Sequence, residues 1–293
     1  MMLLLSSNQV QSQTISEIPK LLIAEITSIP EGPHPDVGDS ICEWFLIKPE
    51  TISGMELHRM GWGVMSEVNF GPYQFVSFAG EFNRGTSGTC QRNQGNIAVF
   101  KNQQLASIIY TKPEDDYLIG NLKLIEGGAL RVFSGEFIEW PVADIQLIND
   151  GYKITEISEL QSFCEGKSIV PNIYGDTIPQ ARERLFKFGW TPSKSGNSLW
   201  IRAEGMKNSG ITEIQSCSGT GLAMCHFDYH NDHASLRVTT IGEEGEVDVI
   251  DILVAVGDEI EEEDGLITLE TDKATMDVPS THAGTVKEVY IKN

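Results

Sequence analysis

The stretch Ile267–Ser280, ITLETDKATMDVPS, places one lysine, Lys273, between two short runs whose residues are typical of β-strands. β-branched residues recur in each run, and such residues favour extended backbone. The stretch therefore predicts a hairpin with Lys273 at its tip. Most turn lysines are simply solvated, so further residues are needed before this one can be given a function.

The surrounding region contains an internal repeat. Val249–Val254 (VIDILV) aligns with Val286–Ile291 (VKEVYI) at an offset of 37 residues, and Lys273 lies between the two copies. Gly257 and Asp258 follow the first copy, and glycine there can take the left-handed conformation that a tight turn needs. A domain of two similar halves, with the lysine at the turn that joins them, would expose its side chain fully.

Residues 239–293 resemble the lipoyl domain of the dihydrolipoyl acetyltransferase of bacterial pyruvate dehydrogenase. The resemblance rests on ETDKATMDVPS at Glu270–Ser280, on VGDEI at Val256–Ile260 and on AGTVKEV at Ala283–Val289. It implies a flattened β-barrel of two small sheets, the fold called a barrel-sandwich hybrid.

The same resemblance implies a site and its partners. Lys273 is the residue that would receive lipoic acid in amide linkage, with Glu270, Asp272 and Ala274 as its recognition context. The arm would carry acyl groups and electrons in a 2-oxoacid dehydrogenase complex. Its implied partners are a lipoate ligase or lipoyl transferase, the 2-oxoacid decarboxylase and dihydrolipoyl dehydrogenase.

Biotin carriers share this fold and are the main alternative. Their pattern places methionine on both sides of the lysine, whereas Asp272 and Ala274 flank Lys273 here. Lipoyl carriers for other oxoacids have bulkier apolar residues after the lysine than Ala274 and Thr275. These differences favour lipoic acid over biotin and the pyruvate complex over others.

Two departures from the family pattern restrict the prediction. The second copy of the repeat ends at Asn293, the counterpart of Val256, so we expect a truncated lipoyl domain with an open edge at Val286–Ile291. The acetyltransferase motif His-x-x-x-Asp-Gly is absent from the sequence, and no peripheral-subunit-binding segment is visible. The sequence thus predicts a carrier without a transferase motif, and leaves open whether it is a fragment, a truncated product or a fusion.

The charge of the chain argues against one class of partner. The net charge is −21, and residues 243–293 hold 15 acidic and three basic residues. Such a surface repels nucleic acid, so no nucleic-acid partner is expected. No apolar run reaches the length of a membrane-spanning helix, and none is predicted.

The first 157 residues carry no recognisable catalytic set. Residues 1–20 form a leader with a short apolar block but no basic region, and a clipped secretory signal is one interpretation of it. Residues 21–157 are predicted to be a β-rich domain of unknown function. The runs on either side of Lys101–Gln104 predict one hairpin, and those on either side of Glu126–Gly128 predict another.

Residues 158–238 predict a small α+β unit. Thr177 and Gln180 fit a capping box, and Pro179 fits the first turn of the helix that follows. Gly189 fits its end. The apolar face is predicted to contain Ile178, Ala181, Leu185 and Phe188. About 20 residues here are similar to the PASTA module of bacterial penicillin-binding proteins and kinases.

Two cysteines follow in the same unit. Cys217 and Cys225 are equally far from Gly221, so a hairpin that turns at Thr220–Leu222 would place them opposite each other. They are therefore a candidate disulfide for an oxidising compartment.

A metal site is the competing interpretation of this segment. His226 and His230, with His233 close by, would join Cys217 and Cys225 as ligands. Cys-x7-Cys is not a usual zinc spacing, and HNDH is typical of a polar turn, so no metal is expected.

The sequence as a whole predicts a mainly β protein with a small α+β unit and a C-terminal, incomplete lipoyl-type barrel. The predicted function is a cytoplasmic lipoyl carrier modified on Lys273. The alternative is an envelope-associated or periplasmic binding protein of unknown ligand, in which residues 21–238 do the work and the lipoyl segment is a fusion remnant.

Overall fold

The computed structural model describes residues 14–35, 41–85, 90–112, 119–135, 138–149, 151–194, 201–218, 223–242, 246–260, 265–271, 274–279 and 283–287. The chain divides into two compact units, residues 1–157 and 158–293. Strands dominate both, which confirms the predicted mainly β class. None of the helices in the ranges just given is long and apolar enough to cross a membrane.

The described part of unit 1 contains one 3-10 helix, one α-helix and short strands. The 3-10 helix is Ile41–Phe45 and α1 is Ile52–Arg59. The strands are β1 Ile15–Ser16, β2 Leu22–Ala24, β3 Gly63–Phe70, β4 Tyr73–Ala79, β5 Glu81–Arg84, β6 Cys90–Asn93, β7 Asn96–Lys101, β8 Gln104–Tyr110, β9 Leu122–Ile125, β10 Ala129–Ser134, β11 Trp140–Ile148 and β12 Gly151–Thr155.

Two five-stranded sheets form the body of unit 1. Their orders are β2-β8-β7-β4-β3 and β1-β12-β11-β10-β9, and β5 pairs with β6. Both predicted hairpins are present, as β7/β8 and β9/β10. Gly127 and Gly128 turn the second one with φ of 97° and 85°, a region that glycine enters without steric cost.

Aromatic side chains fill the core of unit 1. Tyr73, Phe75 and Tyr152 are nearly or fully buried and meet edge to face, with ring centroids 5.4 Å apart for Phe75 and Tyr152. The Tyr152 hydroxyl lies 2.8 Å from Ser107 Oγ, which satisfies a polar group that would otherwise be costly to bury. Burial raises the pKa of Tyr152 well above its ordinary value.

A buried ion pair links two neighbouring strands of the second sheet. Arg131 on β10 donates from Nε and Nη2 to the two carboxylate oxygens of Asp144 on β11, at 2.8 and 3.0 Å. The exposed fractions of the two side chains are 2% and 0%. Such a bidentate pair is stable in a core only while both members are present.

A disulfide that the sequence pattern did not single out fixes the 3-10 helix. Cys42 is bonded to Cys90 on β6, with the Cα atoms 5.2 Å apart. The guanidinium of Arg92 stacks 4.5 Å from the ring centroid of Phe45 and forms an ion pair with Glu139 at 2.6 Å. The disulfide and the ring contact join the 3-10 helix to β6, and the ion pair joins β6 to the segment before β11.

Unit 2 combines helices with four small sheets in its described residues. The helices are α2 Ile178–Lys187 and α3 Ile201–Asn208. The strands are β13 Leu160–Phe163, β14 Ser168–Pro171, β15 Thr191–Pro192, β16 Ile214–Cys217, β17 Cys225–His230, β18 Ala234–Ile241, β19 Glu246–Ala255, β20 Glu259–Ile260, β21 Gly265–Thr271, β22 Ala274–Pro279 and β23 Gly284–Thr285.

Helix α2 begins and ends where the sequence indicates. Gln180 Oε1 accepts from the backbone N–H of Thr177 at 3.0 Å, and Gly189 follows the helix with φ of 82°. Ile178, Ala181 and Leu185 are buried as predicted. Phe188 is not part of that face, because it follows the last helical turn and is 38% exposed; Trp190 enters the core instead.

The main sheet of unit 2 crosses the boundary predicted at residues 238 and 239. Its order is β15-β17-β18-β19, with β16 on β17. Strand β18 runs without a break from Ala234 to Ile241 and has partners on both sides. The predicted boundary therefore falls inside a strand.

The buried pair in unit 1 generates a stability prediction. Asp144→Ala should lower the free energy of unfolding of unit 1 by about 3–5 kcal/mol, because the buried Arg131 guanidinium would lose the carboxylate that accepts from it at two positions. Urea denaturation of the full chain measures the change in the free energy of unfolding. Hydrogen exchange in β10 and β11 shows whether that change lies in unit 1.

The control for that prediction is an exposed pair in the same unit. Glu56 and Arg59 lie 3.9 Å apart with side chains 58% and 75% exposed, so Glu56→Ala should change stability by less than about 0.5 kcal/mol. Equal effects of the two substitutions would mean that burial does not govern the Asp144 pair.

Candidate functional site

The C-terminal candidate site begins with strand β19, which holds the first copy of the repeat. It pairs antiparallel with β18, from Ala234 opposite Ala255 to Ile241 opposite Glu246, with two register shifts. Val247 near its start is 2% exposed and belongs to the hydrophobic core of unit 2. The strand is thus joined to the α+β unit by backbone bonds and by a buried side chain.

The first residue of the second copy of the repeat, Val286, has backbone hydrogen-bond partners. Gly257, with φ of 105°, turns the chain after β19 and donates its N–H to Val286 O at 2.8 Å. The Val286 N–H donates to Asp258 O at 2.8 Å, and β23 pairs with β20. The expectation of an unpaired edge is therefore wrong at Val286, because the turn after β19 supplies both hydrogen bonds.

Strands β21 and β22 form the hairpin that the lysine signature predicts. They pair antiparallel from Gly265 opposite Pro279 to Thr271 opposite Ala274. In that register Glu270 lies opposite Thr275. Asp272 and Lys273 lie outside the described residues, and the ladder leaves a connection of two residues at their positions in the chain.

The register fixes where the paired strands end. Thr271 and Ala274 are the last described pair of the ladder. A two-residue connection is the shortest common link between antiparallel strands. The described strands therefore end immediately before Asp272 and begin again immediately after Lys273 in the sequence.

The Cys217 and Cys225 side chains are joined in the second disulfide of the structure. The two residues are partners across β16 and β17, and the sulfurs are 2.05 Å apart. Both are buried, at 3% and 0% exposure. Cys164 belongs to neither disulfide.

The alternation of β17 separates the thiols from the histidines of the candidate metal set. Successive strand residues point to opposite faces. Cys225, Phe227 and Tyr229 are buried, whereas His226 and His230 are half-buried on the other face. The four residues therefore do not converge, and the disulfide removes both thiols as ligands.

Both histidines have ordinary hydrogen-bond partners. His226 Nδ1 lies 2.9 Å from Thr239 Oγ1, and His230 Nδ1 lies 3.1 Å from Ser193 Oγ. In the next turn, Asn231 Oδ1 accepts the backbone N–H of His233 at 2.8 Å. Across the described part of the chain, no three His, Cys, Asp or Glu side chains are grouped as metal ligands.

A buried polar cluster supports the same sheet from its core side. The carboxylate of Glu213 is fully buried, and its Oε1 accepts from the Tyr229 hydroxyl at 2.9 Å. Arg182 Nε on α2 lies 2.5 Å from the same oxygen. Burial, and then the Glu213 charge, raise the pKa of Tyr229 far above its ordinary value. The cluster ties α2 to β17.

Comparison with known families assigns the C-terminal segment. A profile of the Biotin_lipoyl family, described as "Biotin-requiring enzyme", matches residues 234–293. The match begins at the first residue of β18. No solved structure matches the chain significantly.

Curated relatives match the same part of the chain. The dihydrolipoyllysine-residue acetyltransferase component of the pyruvate dehydrogenase complex of Cupriavidus necator is 56% identical over 57 residues, 20% of this chain and 10% of that protein. The component of the same name from Pseudomonas aeruginosa is 46% identical over 57 residues, with the same coverage. That from Haemophilus influenzae is 56% identical over 48 residues, 16% of this chain and 8% of that protein. The chain thus spans about a tenth of the length of these relatives.

The disulfides generate a prediction for the cysteines. Protein produced under oxidising conditions and then denatured without reductant should release one thiol per chain, from Cys164, and reduction should release all five. Peptide mapping should find Cys42 linked to Cys90 and Cys217 linked to Cys225. A mixed pairing, or Cys164 in a disulfide, would contradict the structure.

Proposed function

Residues 234–293 are a domain of the biotin and lipoyl attachment family, and we propose that this domain is a lipoyl carrier whose attachment residue is Lys273. The observation that carries the proposal is the hairpin β21/β22. Its register closes at Thr271 and Ala274, so the two-residue connection contains the lysine of the signature. The relatives named above support the family assignment. The hairpin gives a physical reason why the attachment lysine would stand at this position in the chain.

The residues around Lys273 fit a group that is attached to the lysine amine through an amide bond better than a cofactor that is enclosed by side chains. Attachment needs only a lysine amine that an enzyme can reach, with its backbone held in place by paired strands. Asp272 and Ala274 flank the lysine where biotin carriers have methionine, so lipoic acid is the proposed group. When bound, lipoic acid would supply a dithiolane that accepts acyl groups and electrons, while the protein supplies reach and position.

The proposed setting is a 2-oxoacid dehydrogenase complex, with pyruvate as the substrate class. The partners would be a lipoate ligase or lipoyl transferase, the 2-oxoacid decarboxylase and dihydrolipoyl dehydrogenase. Lipoylation removes the lysine charge and leaves Glu270, Asp272 and Asp277 near the tip in the sequence. An acidic carrier of this kind is complementary to basic rims around a partner's active site. We place this function in the cytoplasm.

A second candidate function follows from the disulfides. Disulfides persist in oxidising compartments, and the structure contains one in each unit. An envelope-associated binding protein, in which residues 21–238 bind a ligand and the lipoyl segment is a fusion remnant, would account for both. The redox state of the cysteines therefore separates the two functions.

Replacement of the attachment lysine tests the leading proposal. Co-expression of the full chain with a lipoate ligase should give an intact mass with one lipoyl group, and Lys273→Arg should abolish it. Lys287→Arg is the matched control, because Lys287 lies in the same segment and is exposed. An unmodified wild-type chain, or a lipoyl group retained in Lys273→Arg, would overturn the assignment.

The second candidate is tested on protein from its natural cells, alkylated at lysis. Five alkylated thiols would favour the cytoplasmic carrier, because both disulfides would be absent in that compartment. One alkylated thiol per chain, together with an unmodified Lys273, would favour the exported binding protein.

A further inference from the structure

Strand β19 belongs to two structures at once. It carries the first copy of the lipoyl repeat, and it is also a strand of the sheet β15-β17-β18-β19 of the α+β unit. We infer that Val247 on this strand is a positioning residue for the proposed carrier, which it anchors to the α+β unit. The inference rests on the proposed function, since it concerns how the lysine hairpin is held in place by the α+β unit.

The first support is the packing of Val247. Its side chain is 2% exposed and lies in a core that includes Ile173 before α2 and Ile178 and Leu185 on α2. Full burial of a valine contributes roughly 1.5–3 kcal/mol relative to leaving it exposed. The strand that holds the first copy of the repeat therefore depends on a core to which residues of the α+β unit contribute.

The second support is a backbone clamp on the same residue. Gly175 donates its N–H to Val247 O at 2.9 Å, and the Val247 N–H donates to Asp176 O at 2.9 Å. Asp176 is itself held by Arg184 on α2, whose Nη1 lies 3.0 Å from its carboxylate. Both backbone groups of Val247 are thus satisfied by the loop before α2.

The third support is the path from Val247 to the hairpin. Strand β19 is bonded along β18, and β21 comes into contact with β19. At its other end, β19 runs into the turn at Gly257, which is bonded to Val286. The anchored strand therefore contacts β21 directly, and the turn that follows it is bonded to Val286.

If Val247 anchors β19, the base of the lysine hairpin moves together with the α+β unit. A hairpin that opens locally loses the fixed position of its tip, and local opening is governed by the weakest contacts that hold an element. Loosening Val247 should expose the hairpin amides to solvent before the rest of the unit opens. Val247 would thus act on Lys273 through β19, without contact with the attached group.

The test compares two equivalent valines in the full chain. Val247→Ala removes two methyl groups from a side chain that is 2% exposed, and Val170→Ala does the same on β14 in the same core, also at 2%. Hydrogen exchange with mass spectrometry follows the hairpin, β21 and β22, and the scaffold strand β17. We expect Val247→Ala to speed hairpin exchange about tenfold or more while β17 changes by less than about twofold.

The control should behave differently. Val170→Ala should leave the hairpin within about twofold of the wild type. Equal acceleration of the hairpin by both variants would mean a general loss of stability, and no acceleration by Val247→Ala would mean an independently folded hairpin. Either result overturns the inference.

Exchange does not depend on the attached group, so this test is separate from the test of the proposed function. If the wild type is never lipoylated, the carrier proposal fails while the exchange comparison still decides whether Val247 holds the hairpin. If the wild type is lipoylated and exchange is unaffected by Val247→Ala, the carrier stands and the anchor is rejected.

Discussion

The antiparallel pairing of β18 with β19 is the constraint on which the second unit depends. Without it, β19 would lose the backbone partners that β18 supplies, and exposed strand edges promote association with other chains. With it, the strand that holds the first copy of the repeat belongs to the sheet of β15, β16, β17 and β18, and Val247 becomes part of the core of unit 2. The lysine hairpin follows later in the chain, and its first strand, β21, is in contact with β19.

Charge is distributed unevenly along the second unit. Residues 158–242 hold eight acidic and eight basic residues, while residues 243–293 hold 15 and three. In the scaffold, acidic groups are neutralised by internal partners, as in the Asp228–Arg237 pair at 2.8 Å and the Glu213–Arg182 pair at 2.5 Å. The excess negative charge is left on residues 243–293, which contain the lysine signature, and such a field can steer association with an oppositely charged surface.

Local features of the fold could be predicted from the sequence, and long-range ones could not. The capping box at Thr177, the glycines of the β9/β10 turn and the hairpin around Lys273 are all encoded by neighbouring residues. The partnership of β18 with β19 depends on a strand that begins before the predicted boundary at residue 239, and nothing in either run specifies the other. The Cys42–Cys90 disulfide joins residues 48 apart, and no spacing rule selects that pair among five cysteines.

The same limit applies to the candidate sites. A short separation in sequence suggests that Cys225 and the histidines of β17 could share a metal, but alternation along the strand places the thiol and the imidazoles on opposite faces. Periodicity predicts Phe188 on the apolar face of α2, although the helix ends one residue earlier. Val247 carries no motif, and its role emerges only from the core that surrounds it.

The most direct test of a lipoyl carrier rooted in this sheet is peptide mapping of the full-length protein from cells that contain lipoate, biotin and both ligases. We predict a lipoyl group on the peptide that contains Lys273, with the other lysines unmodified and the β21/β22 amides protected from exchange. A biotinyl group on Lys273, or an unmodified Lys273 in a protected hairpin, would contradict it.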